Sequence, residues 1–256
     1  MATYEPHRAV LYGPSAFQAL GVALPEALQD WDNCHILVPS GGYLPIRRGV
    51  VAHQTKLPPT VWRTIGGLPL LHPVDHWLQL RRASIDHLVE VGDGLLRRQS
   101  PLLTLDAIWA RLSQLDGVPG IKPARRAARW LVPGTDSLYE TRTRLVLIHG
   151  GLPVPAVNCA VYCGSAGRWY HVDLGYDMEK VAVEYDGLVH VGNRVQMEID
   201  ARRRRELQDE GWLIITVTAE QLRRPLEIVR SVETALILRR SAGHALGEGL
   251  SMSRPA

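Results

Sequence analysis

The chain carries two hydrophobic rhythms, and their order predicts its layout. Three runs, AVNCAVY (156–162), RWYHVDLGY (168–176) and KVAVEYD (180–186), place apolar residues at near-alternate positions and are joined by turns containing GSAG and GYDME. Alternation is strand spacing, because successive side chains leave opposite faces of a pleated backbone. A fourth apolar run, WLIITVT (212–218), reads as a further strand. Around these runs the period lengthens. DSLYETRTRLVLIHGG predicts a helix capped at Asp136 or Ser137, with Glu140 in its first turns and Gly150–Gly151 as its stop. Residues 195–211 predict a charged helix ending at Gly211, and AEQLRRPLEIVRSVETALILRR a last helix, broken or restarted at Pro225. The second half is therefore α-β-β-β-α-β-α: fold class α/β (α+β), a mixed four-stranded sheet flanked by helices.

The first half has another texture. HILVPS (35–40) and GVVAHQT (49–55) are short β-type runs around the turn-rich SGGYLPIRR. From Pro73 the pattern turns helical, with VDHWLQLRR, then SIDHLVEVGDGLLRR behind a Ser84 cap, then LDAIWARLSQL behind a Thr104 cap and a stop at Gly117. GVPGIKPARRAARWLVPGTD is rich in Gly, Pro and Arg and predicts a domain junction. The expected division is a β-rich region over 1–82, a helical segment and linker over 83–134, a second domain over 135–240 and a flexible tail over 241–256.

Composition narrows the classes. The 256 residues are 46% hydrophobic and 21% charged, as in an ordinary globular protein. No run approaches the ~18 apolar residues of a membrane span, and the first residues lack a signal-peptide core. The expectation is a cytoplasmic protein with no membrane partner. Cys34, Cys159 and Cys163 are odd in number and lack a second metal-ligating pair, which favours idle thiols. Net charge is only +3, with pI near 8.9, but arginines cluster, as at 47–48, 125–126 and 202–205. Arginine's planar fork suits phosphate, while arginine-rich codon usage and solvated loops produce the same clusters. Arg47, Arg48 and His53 are candidate phosphate contacts on the same terms.

The chemistry concentrates at 173–190. In KVAVEYD, Val181, Val183 and Tyr185 share one face, and Ala182, Glu184 and Asp186 the other. Asp173 on the preceding strand can stand beside Glu184, and Glu140 on the first helix can reach the same edge. Converging carboxylates repel one another, and a hard divalent cation such as Mg²⁺ or Mn²⁺ relieves that repulsion. Gly187 lets the chain bend, bringing His190 over the site as a general acid or base. Simpler readings compete. Glu140 and Arg144 are spaced as a helical surface ion pair, Asp173 as a turn residue, the strand acids as a solvent face, and His190 as a structural histidine.

A helix with S-x-x-E, a strand with V-D-L, a strand with V-E-Y-D-G-x-x-H, then D-A-R-R-R-R-E-L-Q-D-E-G-W-L-I-I-T-V-T resembles the PD-(D/E)xK nuclease superfamily. The likeness is narrower to the branch related to very-short-patch-repair endonucleases and covers about residues 135–222. It implies a restriction-endonuclease-like core, with Glu140, Asp173 and Glu184 as ligands of Mg²⁺ or Mn²⁺. The lysine usual two residues after the second acid is Asp186 here. That branch uses histidine instead, which makes His190 the catalytic candidate. The resemblance further implies that Asp200 orients His190 and that Arg203 holds a carboxylate or a DNA phosphate. RGVVAHQTKLPPTVWRTIGGLPLLHPVDHWLQL is similar to the segment preceding this domain in AbiEi-type antitoxin relatives, and no DNA-reading residue is carried over from it.

The function expected on this basis is a metal-dependent DNA endonuclease or nickase, in defence or repair, acting on duplex DNA, with a homodimer as the further partner expectation. Two rivals remain open at this stage: an inactive antitoxin-like DNA-binding regulator that keeps the fold as a scaffold, and an RNA nuclease.

Overall fold

The computed structural model describes residues 9–41, 44, 46–55, 61–187 and 194–251. The chain divides into two compact units, Met1–Leu138 and Tyr139–Ala256. The boundary falls a few residues beyond the expected junction at 134.

In the first unit, β1 (Val10–Leu11) pairs antiparallel with β2 (Cys34–Pro39), which pairs in parallel with β3 (Val50–Thr55). A separate ribbon joins β4 (Arg63–Ile65) to β5 (Leu68–Leu70). Five helices accompany them: α1 (Gly13–Ala19), α2 (Pro73–Gln79), α3 (Ile85–Leu95), α4 (Leu105–Ser113) and α5 (Ile121–Ala128). The expected caps form, since Ser84 Oγ accepts the His87 amide and Thr104 Oγ1 that of Ala107. The presumed linker is corrected. Ile121, Ala124, Ala127 and Ala128 recur at helical spacing and are buried, so α5 is part of the core. Pro123 falls in its first turn, where no intrahelical N–H is lost. Gly120 precedes it at φ +95°, and a Cβ there would lie 2.5 Å from the Leu78 carbonyl oxygen.

The second unit is built on one sheet, ordered β6 (Ala156–Cys163), β7 (Arg168–Tyr176), β8 (Val181–Asp186) and β9 (Leu213–Thr218). The first three strands are antiparallel neighbours, and β9 lies parallel to β8 after the crossover helix α7 (Arg194–Asp209). On one face Leu147 of α6 (Leu138–His149) and Ile228, Val232 and Leu236 of α9 (Pro225–Ser251) cover Leu174, Val181, Val183 and Val217. On the other, Leu207 of α7 and Trp212 pack on Val161, Val172 and Ala182. This is the predicted mixed sheet flanked by helices. The short α8 (Ala219–Leu222) ends before Pro225, so the proline starts α9 rather than kinking it. α9 runs on to Ser251, into the stretch expected as the tail.

One departure from strand regularity positions the site. Val172 and Leu174 are two apart yet serve opposite cores, as do Cys159 and Val157 on β6. The hairpin therefore turns over between them, at Asn158 and Asp173. Asn158 sits at φ +50°, a left-handed conformation that asparagine tolerates better than most residues.

Candidate acidic edge of the second unit

The β7–β8 ladder pairs Tyr176 with Val181, Gly175 with Ala182 and Leu174 with Val183. Asp173 and Glu184 are the next residues of the two strands beyond that last pair. Here the backbone ladder gives way to a side chain: Asp173 Oδ2 accepts the Tyr185 amide at 2.9 Å. Asp173 is thus a mid-strand residue at the hairpin's turnover, not a turn residue.

Glu184 shares a face with Ala182, the face covered by α7, and meets Arg203 there. Arg203 forks across both carboxylate oxygens, Nη2 to Oε1 at 2.6 Å and Nη1 to Oε2 at 3.2 Å. Its Nη2 also donates to the His171 carbonyl at 2.6 Å, so one guanidinium ties α7 to β7 and β8. The two side chains are only 27% and 13% exposed, so solvent screens the pair weakly. Burial works against the charge of Arg203. The fork on Glu184 and the fields of Glu184, Asp173 and Asp200 outweigh it and hold its pKa above the usual arginine value. The acidic edge thus carries a cation of its own.

The other described candidates lie on β8, α7 and α6. Asp186 ends β8, half-buried and in register with Thr218 of β9. Asp200 is exposed on α7, where Gln196 Nε2 donates to its Oδ1 at 2.8 Å. Glu140 is half-buried in the first turn of α6. Arg144 is 1% exposed, which overturns the surface ion-pair reading, since α6 turns that side chain into the interior. His190 lies outside the described residues. Asp173 and Glu184 carry the oxygen donors that a hard divalent cation takes, and both contribute to the charge of Arg203. Among the described residues, no three His, Cys, Asp or Glu side chains gather as a metal site.

Two supports escaped the sequence reading. The Tyr139 ring of α6 stacks on Tyr185 at 4.6 Å and 7°, and the Arg142 guanidinium lies 5.2 Å from the Tyr139 centroid. This stack seats the end of β8 against α6. The placement of Tyr185 on the face of Val181 and Val183 was its only sequence signal. Tyr170, 5.9 Å from the Arg203 guanidinium, donates to Glu206 Oε2 at 2.5 Å, bracing α7 behind Arg203.

Elsewhere, Arg47 and Arg48 are exposed. His53 lies on β3, in the run expected as a strand, its Nε2 3.0 Å from His35 Nδ1 and its ring 4.2 Å from that of Tyr12. Cys34, Cys159 and Cys163 are free thiols. Burial pushes the Cys159 and Cys163 thiols up, away from the reactive thiolate. Among the described residues no helix is long and apolar enough to cross a membrane.

The chain is 31% identical over 140 residues to uncharacterized proteins from two strains of Mycobacterium tuberculosis, CDC 1551 / Oshkosh and H37Rv, covering 50% of this chain and 51% of each relative. It thus spans about half the length of the curated relatives it matches. No family model and no solved structure matches it.

Proposed function

We propose that the second unit is a metal-dependent endonuclease or nickase domain with a restriction-endonuclease-like core. The observation that carries this reading is the place of Asp173 and Glu184, each the residue next to the last ladder pair Leu174–Val183 on adjacent strands, where the Asp173 side chain takes the Tyr185 amide. The element order and the parallel β8–β9 step support the same core.

Asp173 and Glu184 would hold Mg²⁺ or Mn²⁺; Glu140, expected as a third ligand, does not gather with them in this structure. When bound, the ion supplies charge stabilisation at the scissile phosphate and a more acidic water. His190 takes the proton of the attacking water or returns one to the leaving oxygen. Asp200 orients that imidazole, and Asp186, where a lysine is usual, leaves water activation to the histidine. Arg203 supplies a fork for phosphate oxygens.

A second reading is favoured by one observation: Glu184 already has a cationic partner in Arg203. On that reading the domain is a DNA-binding scaffold in an antitoxin-like regulator, and binds without cutting. Supercoiled plasmid incubated with the protein and Mg²⁺ or Mn²⁺ separates the two. Relaxed circles that disappear with Asp173→Ala and with Glu184→Ala support the nuclease. Nicking that survives both substitutions excludes this site, and binding without nicking favours the scaffold. Duplex, single-stranded and RNA substrates compared side by side assign the substrate class.

A further inference from the structure

We propose that Arg203 is a gate on the acidic edge: nucleic-acid phosphate draws it off Glu184, so the edge takes a divalent ion tightly only when substrate is bound. The inference rests on the metal-dependent reading of the site and adds its regulation.

Three features on α7, β7 and β8 lead to it. First, both oxygens of Glu184 are occupied by one guanidinium, at 2.6 and 3.2 Å. A divalent ion on Glu184 must displace that fork or share the carboxylate with it. Sharing sets like charges side by side where water screens them poorly, since the pair is largely shielded from solvent. Second, the acids that would bind the ion are those that sustain the charge of Arg203, with Glu184 and Asp173 both contributing. Guanidinium and metal therefore compete for the same field. Third, Arg203 has an anchor independent of Glu184, the His171 carbonyl at 2.6 Å. Released from the carboxylate, the side chain keeps a contact beside the edge.

A phosphodiester is the natural competitor for this fork. It presents two oxygens in the planar spacing that a carboxylate presents, and a guanidinium binds either in two parallel bonds. Substrate binding would thus perform two acts with one side chain: it neutralises phosphate and frees Glu184. Linkage makes the coupling reciprocal, so metal must tighten nucleic acid by the factor by which nucleic acid tightens metal. Without substrate the edge stays closed by its own arginine, which limits adventitious metal binding and idle hydrolysis.

The test is a Mn²⁺ titration of the full chain, read by calorimetry or by the Mn²⁺ electron-spin signal. It is run with and without a saturating duplex whose phosphorothioate linkages resist cleavage. For the wild type, duplex should tighten Mn²⁺ by about tenfold or more. Arg203→Met alone should bind Mn²⁺ about as tightly as wild type does with duplex, and duplex should then add little. Arg203→Lys keeps the charge but cannot fork both oxygens, should fall between them, and carries the test if the Met variant melts early. Equal Mn²⁺ affinity in wild type and both variants, unchanged by duplex yet lost in Asp173→Asn, overturns the gate and leaves the metal site standing. Failure of every form to bind Mn²⁺, duplex included, overturns the metal reading and the gate with it.

Discussion

Asp173 completes the backbone of the neighbouring strand: its Oδ2 accepts the Tyr185 amide at 2.9 Å, where the β7–β8 ladder has run out. The residue therefore has a structural duty beside its proposed chemical one, and the two can be separated. Asp173→Ala strands a partly buried N–H and should lower stability by about 1–2 kcal/mol in urea unfolding. Asp173→Asn keeps an acceptor oxygen and should unfold within about 0.5 kcal/mol of wild type while losing nicking. Equal stability of the two variants would contradict the backbone role.

Glu184 and Arg203 make a second separable pair. Glu184→Ala leaves a half-buried guanidinium with the His171 carbonyl and the fields of Asp173 and Asp200 but no carboxylate fork, and should cost about 2 kcal/mol. In a double-mutant cycle with Arg203→Met, the losses should be clearly less than additive, with about 1 kcal/mol of coupling. Additive losses would mean that the fork contributes nothing to stability.

The first unit should be acid-sensitive through His76. This side chain is fully buried in α2; its Nε2 accepts the Leu71 amide, and burial holds its pKa down to about 4. An unfolded histidine titrates near 6.5, so as pH falls below that value the unfolded chain takes up the proton first. Stability is complete above about pH 6.5 and drains away toward pH 4, by about 2 kcal/mol between pH 7 and pH 5. Urea midpoints of wild type and His76→Gln should converge over that interval. Parallel pH profiles would contradict the assignment.

Gly175 tests the turnover of the hairpin. A Cβ at this position would lie 2.6 Å from Cys159 Cβ, backbone-fixed on the neighbouring strand. Gly175→Ala should therefore destabilise the unit by about 1–3 kcal/mol, and Cys159→Gly should recover part of the loss. An alanine variant with an unshifted melting temperature would show that β6 and β7 are not this close.

Much of the second unit was legible in the sequence because its signals are local. Alternation marked β6, β7 and β8 and a continuous apolar run marked β9, each to within a residue or so, while in the first unit the Ser84 and Thr104 caps carry their own chemistry. Glu184 could be assigned to the face of Ala182 from parity alone. Asp173 could not be placed the same way, since parity fails where Asn158 lets the hairpin turn over, and a left-handed asparagine leaves no hydrophobic trace. The Arg203 fork depends on the phase of α7 over the sheet, a tertiary property that the D-x-x-R spacing permits without dictating. The burial of Arg144 defied its i,i+4 spacing to Glu140 because helix spacing does not say which face meets the core. In the first unit, α5 was hidden by Gly, Pro and Arg: its apolar stripe is mostly alanine, too small to stand out from a linker composition.

On the proposed reading, Asp173 and Glu184 together hold a divalent cation against a nucleic-acid phosphate. Anomalous diffraction from crystals of the protein with Mn²⁺ and a phosphorothioate duplex tests it most directly. The expected result is a Mn²⁺ peak about 2.0–2.3 Å from an oxygen of each carboxylate, with Arg203 turned from Glu184 to a phosphate. Crystals with duplex bound, no Mn²⁺ between the two acids and Arg203 still forked on Glu184 would contradict it.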